Sequence, residues 1–131
     1  MSDVAWTDGD FSLVYVDSRE QMQLIIGSDN EESKLLVGPT VFAIGENEDV
    51  FIVMQHPYVD VINSSSANMG NRLVTNYYYF EKAYILRARD NSKGGVDFSK
   101  LVNGPMSDDE FYKVSRVKNF PKFSVIFRDL Q

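Results

Sequence analysis

Thr40-Val41-Phe42-Ala43-Ile44-Gly45-Glu46-Asn47-Glu48-Asp49-Val50-Phe51-Ile52-Val53-Met54 decides the fold class. Two runs, Thr40–Ile44 and Val50–Met54, flank a short polar loop that contains a glycine, and this is the pattern of a β-hairpin. Both runs are almost continuously apolar, so they are expected to be central strands buried on two faces rather than half-exposed ones. Outward from this hairpin, turn signals recur every 8–15 residues and the intervening segments are rich in Val, Ile, Phe and Tyr, which reads as an antiparallel meander.

Toward the N-terminus, Phe11–Val16 alternates, with Phe11, Leu13 and Tyr15 on one face, and Met22–Ile26 and Lys34–Val37 supply two further short strands. Toward the C-terminus, Tyr58–Ile62 reads as a strand and Asn63–Asn71 as a loop of small polar residues. Arg72–Phe80 and Ala83–Ala88 read as a second hairpin turning at Glu81-Lys82, followed by a loop over Asp90–Gly95. One helix is expected, over about 107–118. Ser107 is its N-cap and Glu110 closes a capping box, the acids Asp108–Glu110 suit the positive end of the dipole, and Phe111, Val114 and Val117 form its apolar stripe. Lys122–Phe127 is a last strand with Phe123, Val125 and Phe127 inward. The expectation is an α+β fold in a single domain over 1–131. Its antiparallel sheet forms a meander, a sandwich or a partly open barrel, with the late helix covering one face or one open end.

Composition removes several function classes. There is no cysteine, which excludes disulfides, thiol catalysis and cysteine-based zinc or iron–sulfur sites. No run of about 20 apolar residues is present to span a bilayer. The opening residues lack the basic and apolar regions of a signal peptide, so the chain is read as cytoplasmic, or as the mature part of an exported or lipid-anchored protein whose leader has been removed. The charge is lopsided: residues 1–60 carry 12 acids and two bases, residues 61–131 seven acids and eleven bases. The net −6 argues against a nucleic-acid partner and for a protein partner of basic character. If the early loops form an acidic end and Arg72, Lys82, Arg87, Arg89, Lys113, Arg116 and Lys118 a basic patch, the folded surface is polarised.

The candidate chemistry is sparse. His56 is the single histidine; Pro57 holds it extended at a strand exit, where it serves either as a general base or as an edge residue bonded to backbone. No Gly-x-Ser-x-Gly elbow accompanies it. The carboxylates of Asp8-Gly9-Asp10 and Glu46-Asn47-Glu48-Asp49 are oxygen ligands of the kind calcium takes, but turn chemistry accounts for both, and no metal site is assigned. No phosphate loop or dinucleotide fingerprint exists, so no cofactor is assigned. Asn63-Ser64-Ser65 matches a glycosylation acceptor within a Ser-rich loop.

Tyr77-Tyr78-Tyr79-Phe80 with Tyr84 is the most unusual feature. Alternate rings on a strand point to opposite faces, so some leave the core. They either pair across strands, serve an interface, or, with Arg72, Arg87 and Arg89, stack single-stranded nucleic acid. The candidate binding set is Tyr77, Tyr79, Tyr84, Arg87, Arg89 and His56. The leading reading is a non-catalytic protein-binding domain, of immunity type or a surface lipoprotein. The alternative is a small carboxylate-dependent hydrolase acting on carbohydrate, for which the nineteen acids supply material but no distinctive pair. Single-stranded nucleic-acid binding ranks third.

Trp6, the strand Leu13-Val14-Tyr15 with Asp17, Val41 with Gly45, Phe51-Ile52-Val53 to Gln55, Asn76-Tyr77-Tyr78-Tyr79, and Gly104-Pro105 with Glu110-Phe111 together resemble a family of small uncharacterised bacterial proteins, often predicted lipoproteins. The resemblance implies an exported protein and no assigned activity, and it carries over no functional residue.

Overall fold

A computed structural model describes residues 3–27, 33–58, 69–91 and 95–131. The Asn63-Ser64-Ser65 site, the acids at 29–32 and most of the expected strand Tyr58–Ile62 lie outside the described residues. Among the described residues, nine strands form two antiparallel sheets with two α-helices and no closed barrel, so the α+β, β-rich reading holds.

The first sheet is a meander of β1 (Asp3–Asp8), β2 (Phe11–Tyr15), β3 (Gln23–Ile26) and β4 (Lys34–Val37), in that order. The second contains β5 (Val41–Glu46), β6 (Val50–Gln55), β7 (Asn76–Glu81), β8 (Asn103–Met106) and β9 (Val125–Ile126), in the order β8-β7-β6-β5-β9. β1 and β8 were not expected. β1 is an edge strand with exposed polar ends, and only Ala5 and Trp6 turn inward, so it lacks an apolar alternation. β8 is built around Gly104-Pro105, a pair that ordinarily signals a turn.

The opening hairpin forms, with Gly45 and Glu46 of the expected loop paired in β5 opposite Ile52 and Phe51. Asn47 Oδ1 closes its turn by accepting from the backbone N–H groups of Asp49 (2.9 Å) and Val50 (2.7 Å). Its second strand, β6, is the centre of the molecule. Phe51 and Val53 face the first sheet; Val50 and Ile52 face the opposite way. Between the sheets Phe51 stacks on Phe80 at 5.1 Å and meets Phe11 at 5.4 Å and Trp6 at 5.8 Å. On the other face Tyr77 packs on Phe111 at 4.8 Å. The layers are therefore sheet, sheet, and then α2 (Asp108–Ser115) with the C-terminal segment.

The expected second hairpin is wrong. β7 passes directly at Lys82 into α1 (Lys82–Asn91), so Ala83–Ala88 is helical, and the described residues hold two α-helices where one was expected. Six residues of alternation are too few to fix a period, whereas Ala, Leu and Arg are strong helix formers. The helix start is tied to the turn between β5 and β6. The Lys82 N–H donates to the Asp49 carbonyl at 2.8 Å, and Lys82 Nζ donates to Glu46 at 2.6 Å. Asp90 and Asn91, read as loop, end this helix.

The expected strand Arg72–Phe80 starts only at Asn76, because Asn71–Val74 is a turn in which Asn71 Oδ1 accepts from the Leu73 N–H. The Ser107–Glu110 capping box is present in both directions, but α2 ends at Ser115, which leaves Val117 of the expected stripe 87% exposed. The final strand shrinks from Lys122–Phe127 to Val125–Ile126, although Phe123, Val125 and Phe127 do alternate inward. Ahead of β9, the chain crosses β5 so closely that a Cβ on Gly45 would lie 2.1 Å from the Lys122 carbonyl oxygen.

Candidate functional site

Tyr77 and Tyr79 share the face of β7 that looks toward α2 and the C-terminal segment. Tyr77 is buried between Phe111 and Tyr112, and burial, then the nearby Tyr112 and Asp108, push its hydroxyl up to about 12. Tyr79 lies against Phe120 at 5.1 Å. It lines an open cleft of about 460 Å³ together with Tyr84, which projects from α1 and is 47% exposed. The direct passage of β7 into α1 brings these two rings to one place.

Three other elements close the cleft. The 3-10 turn Phe98–Leu101, N-capped by Asp97 accepting from the Ser99 N–H, contributes Lys100. β8 contributes Asn103, whose Nδ2 donates to the Tyr79 carbonyl at 3.3 Å. The turn after α2 contributes Lys118, whose Nζ lies 3.4 Å from the Glu81 carboxylate. The result is two aromatic rings, two lysines, an amide and one paired carboxylate around an open concavity. Sequence reading picked out the tyrosines, and Lys118 only as part of an expected basic patch, but not Lys100 or Asn103, which lie far along the chain and carry no local motif.

His56 belongs to a different region. It is buried and stacks on Phe42 at 4.2 Å, and its backbone exchanges two 2.8 Å hydrogen bonds with Thr40. Its Nδ1 is 2.8 Å from the Val74 carbonyl. A carbonyl only accepts, so Nδ1 donates to it, and Nε2 is buried with no hydrogen-bond partner among the described residues. Among the described residues no hydroxyl or carboxylate bonds to this ring, which packs flat on Phe42.

Beside it, Glu20 organises a polar cluster. Its carboxylate accepts from the Gly70 N–H at 2.8 Å and from Arg72 Nη1 and Nη2 at 2.9 and 2.6 Å. The Thr40 hydroxyl donates to the Glu20 carbonyl. Glu20 and Arg72 are 52 residues apart, so no spacing in the sequence announces the pair. The Arg72 guanidinium holds the Glu20 carboxyl below its ordinary range, more than offsetting the opposing effect of burial. A depressed carboxyl contributes stability above its unfolded value that is lost as pH falls through its folded value. Glu20→Gln is therefore expected to flatten the fall in stability below about pH 4.5, measured by urea unfolding at several pH values; an unchanged acid slope would exclude this pair as its source.

Of the remaining candidates, Arg87 is exposed on α1 outside the cleft lining. Arg89 is bound to Asp10 at 2.7 Å, and also lies 3.4 Å from Asp90. The structure thus brings Tyr79 and Tyr84 together and leaves Tyr77, His56, Arg87 and Arg89 elsewhere.

The charge split also takes a different form. Asp10 pairs with Arg89, Glu20 with Arg72, and Glu46 with Lys82, each an acid of the first half with a base of the second. The two sets interlock, and at these contacts the expected separation into an acidic end and a basic patch fails. Among the described residues no three His, Asp or Glu side chains gather to hold a metal ion, and no helix is long and apolar enough to cross a membrane. Comparison with family models, with curated proteins and with solved structures finds no match to this chain.

Proposed function

We propose that this chain is a non-catalytic protein-binding domain whose contact surface is the cleft between β7, α1 and β8. The observation that carries the reading is the convergence of Tyr79 and the half-exposed Tyr84 on one open concavity rimmed by Lys100, Lys118 and Asn103. Tyrosine supplies a large, stiff ring with a polar tip, which suits a surface that is wet before binding and dry afterwards. Among the described residues the cleft lining includes one carboxylate, Glu81, and it is held by Lys118; a glycoside hydrolase needs two carboxyl groups facing each other across the sugar. The pairing of Asp10, Glu20 and Glu46 within the chain weakens the case for a basic partner. The two lysines of the rim favour an acidic or polar segment instead.

The test is a pull-down from the native source with wild-type chain, Tyr84→Ala and Lys100→Glu as baits. Loss of a tyrosine hot spot lowers affinity on the order of tenfold or more. A protein held by wild type and released by both variants is the expected result. Equal retention by all three baits would rule out the cleft as the contact surface.

A further inference from the structure

The face around Tyr112 carries a knob and a hole at once. The knob is Leu73, at 95% exposure the most exposed large apolar side chain among the described residues, with Val74 beside it at 40%. Its turn is rigidly held: Arg72 is clamped by Glu20, the Leu73 N–H donates to Asn71 Oδ1, and the Val74 carbonyl is bonded by His56. An apolar side chain fixed in this way loses little conformational freedom when it is covered.

The hole is a groove of about 350 Å³ behind α2. Ile52 and Phe111 form its floor, Tyr112, Phe120 and Phe123 its walls, and Lys122 its rim. Knob and hole are neighbours. Leu73 shares a shallow hollow with Tyr77 and Asp108, and the Tyr77 ring lies 5.9 Å from that of Tyr112, which lines the groove. The knob side is acidic, through exposed Asp108, and the hole side is basic, through exposed Lys122.

We infer that this face is matched to a second copy of the same chain. A two-fold interface presents one surface to itself, so each feature needs its complement on the same face. Apolar knob with apolar groove, and acid with base, meet that requirement twice. In the pair, Leu73 of each chain enters the groove of its mate, and Asp108 approaches the mate's Lys122. A face evolved for an unrelated protein would have no need to carry both halves. The tyrosine cleft at Tyr84 shares no lining residue with the groove or with the hollow at Leu73, so the inference does not rest on the function proposed for the cleft.

Light scattering over a concentration series is expected to give wild-type chain a mass rising to twice 14.9 kDa. Leu73→Asp is expected to remain at the monomer mass, with the thermal midpoint that wild type shows at concentrations too low for it to pair, since the residue is exposed in the single chain. Asp108→Lys and Lys122→Glu should each raise the dissociation constant tenfold or more, and the double variant should recover most of that loss. Wild-type chain that stays monomeric at every concentration overturns the inference. So does a Leu73→Asp chain that dimerises like wild type, or a double variant weaker than either single one.

Discussion

Phe51→Ala is expected to lower the free energy of unfolding by about 4 kcal/mol, within the range for deleting a fully buried aromatic ring. Phe51 has no exposed surface and is the second residue of β6, the central strand of its sheet. Its ring touches Phe80 and Phe11, one from each sheet, and the edge of Trp6 from the outermost strand. Removing it opens a cavity where both sheets meet, and the surrounding strands are fixed by ladder hydrogen bonds that limit collapse into the void. Domains of this size are stable by only about 5–15 kcal/mol, so the variant should unfold at a much lower urea concentration with a similar slope. Trp6 sits at the site and provides the fluorescence signal. A loss below about 1.5 kcal/mol, the range of well-tolerated core swaps, would mean that the two sheets are not packed through this ring.

Gly45→Ala is expected to cost about 3 kcal/mol, the upper part of the usual range for overpacking. The intrinsic preference runs the other way, because alanine in a strand is favoured over glycine by roughly 0.5–1 kcal/mol. The cost comes from the crossing chain. The new methyl would sit 2.1 Å from the Lys122 carbonyl oxygen and 2.8 Å from its carbon, both backbone atoms that no rotamer change can move aside. The segment would have to lift, breaking the Ser124 N–H bond to the Ile44 carbonyl at 2.9 Å and the short β5–β9 pairing. Gly9→Ala separates this effect from a conformational one. Gly9 has φ +60° with open space around it, so its cost is the left-handed backbone alone, about 1–2 kcal/mol. Hydrogen exchange at Val125 and Ile126 should accelerate in Gly45→Ala and not in Gly9→Ala. Equal effects would remove the steric explanation.

The parts of the fold legible from the chain were those whose cause is local. The hairpin around Asn47 and the Ser107–Glu110 capping box are each written within fifteen residues, and both form. β1 and β8 escaped because an edge strand needs a neighbour more than it needs a pattern. Ala83–Ala88 was misread because its alternation and its helix-forming composition disagreed, and the anchor that settled the matter, Lys82 on Glu46, lies 36 residues away. The site divides in the same way. The tyrosine run stood out, but which rings reach solvent depends on α2, on Phe120 and on α1. Lys100, Asn103 and Lys118 join the cleft only through tertiary structure.

The interlocking of the two charged sets has a kinetic consequence. Before any sheet exists, a segment of charge −10 and one of charge +4 are tethered in one chain. Their attraction acts over about 10 Å at 0.1 M salt and over about 30 Å at 0.01 M. It draws together halves whose native contacts, such as Asp10 with Arg89 and Glu20 with Arg72, are far apart in sequence. Each exposed pair adds little to equilibrium stability, yet the long-range pull shortens the search that non-local pairing demands. Salt should therefore slow the collapse of this chain more than it destabilises the finished molecule.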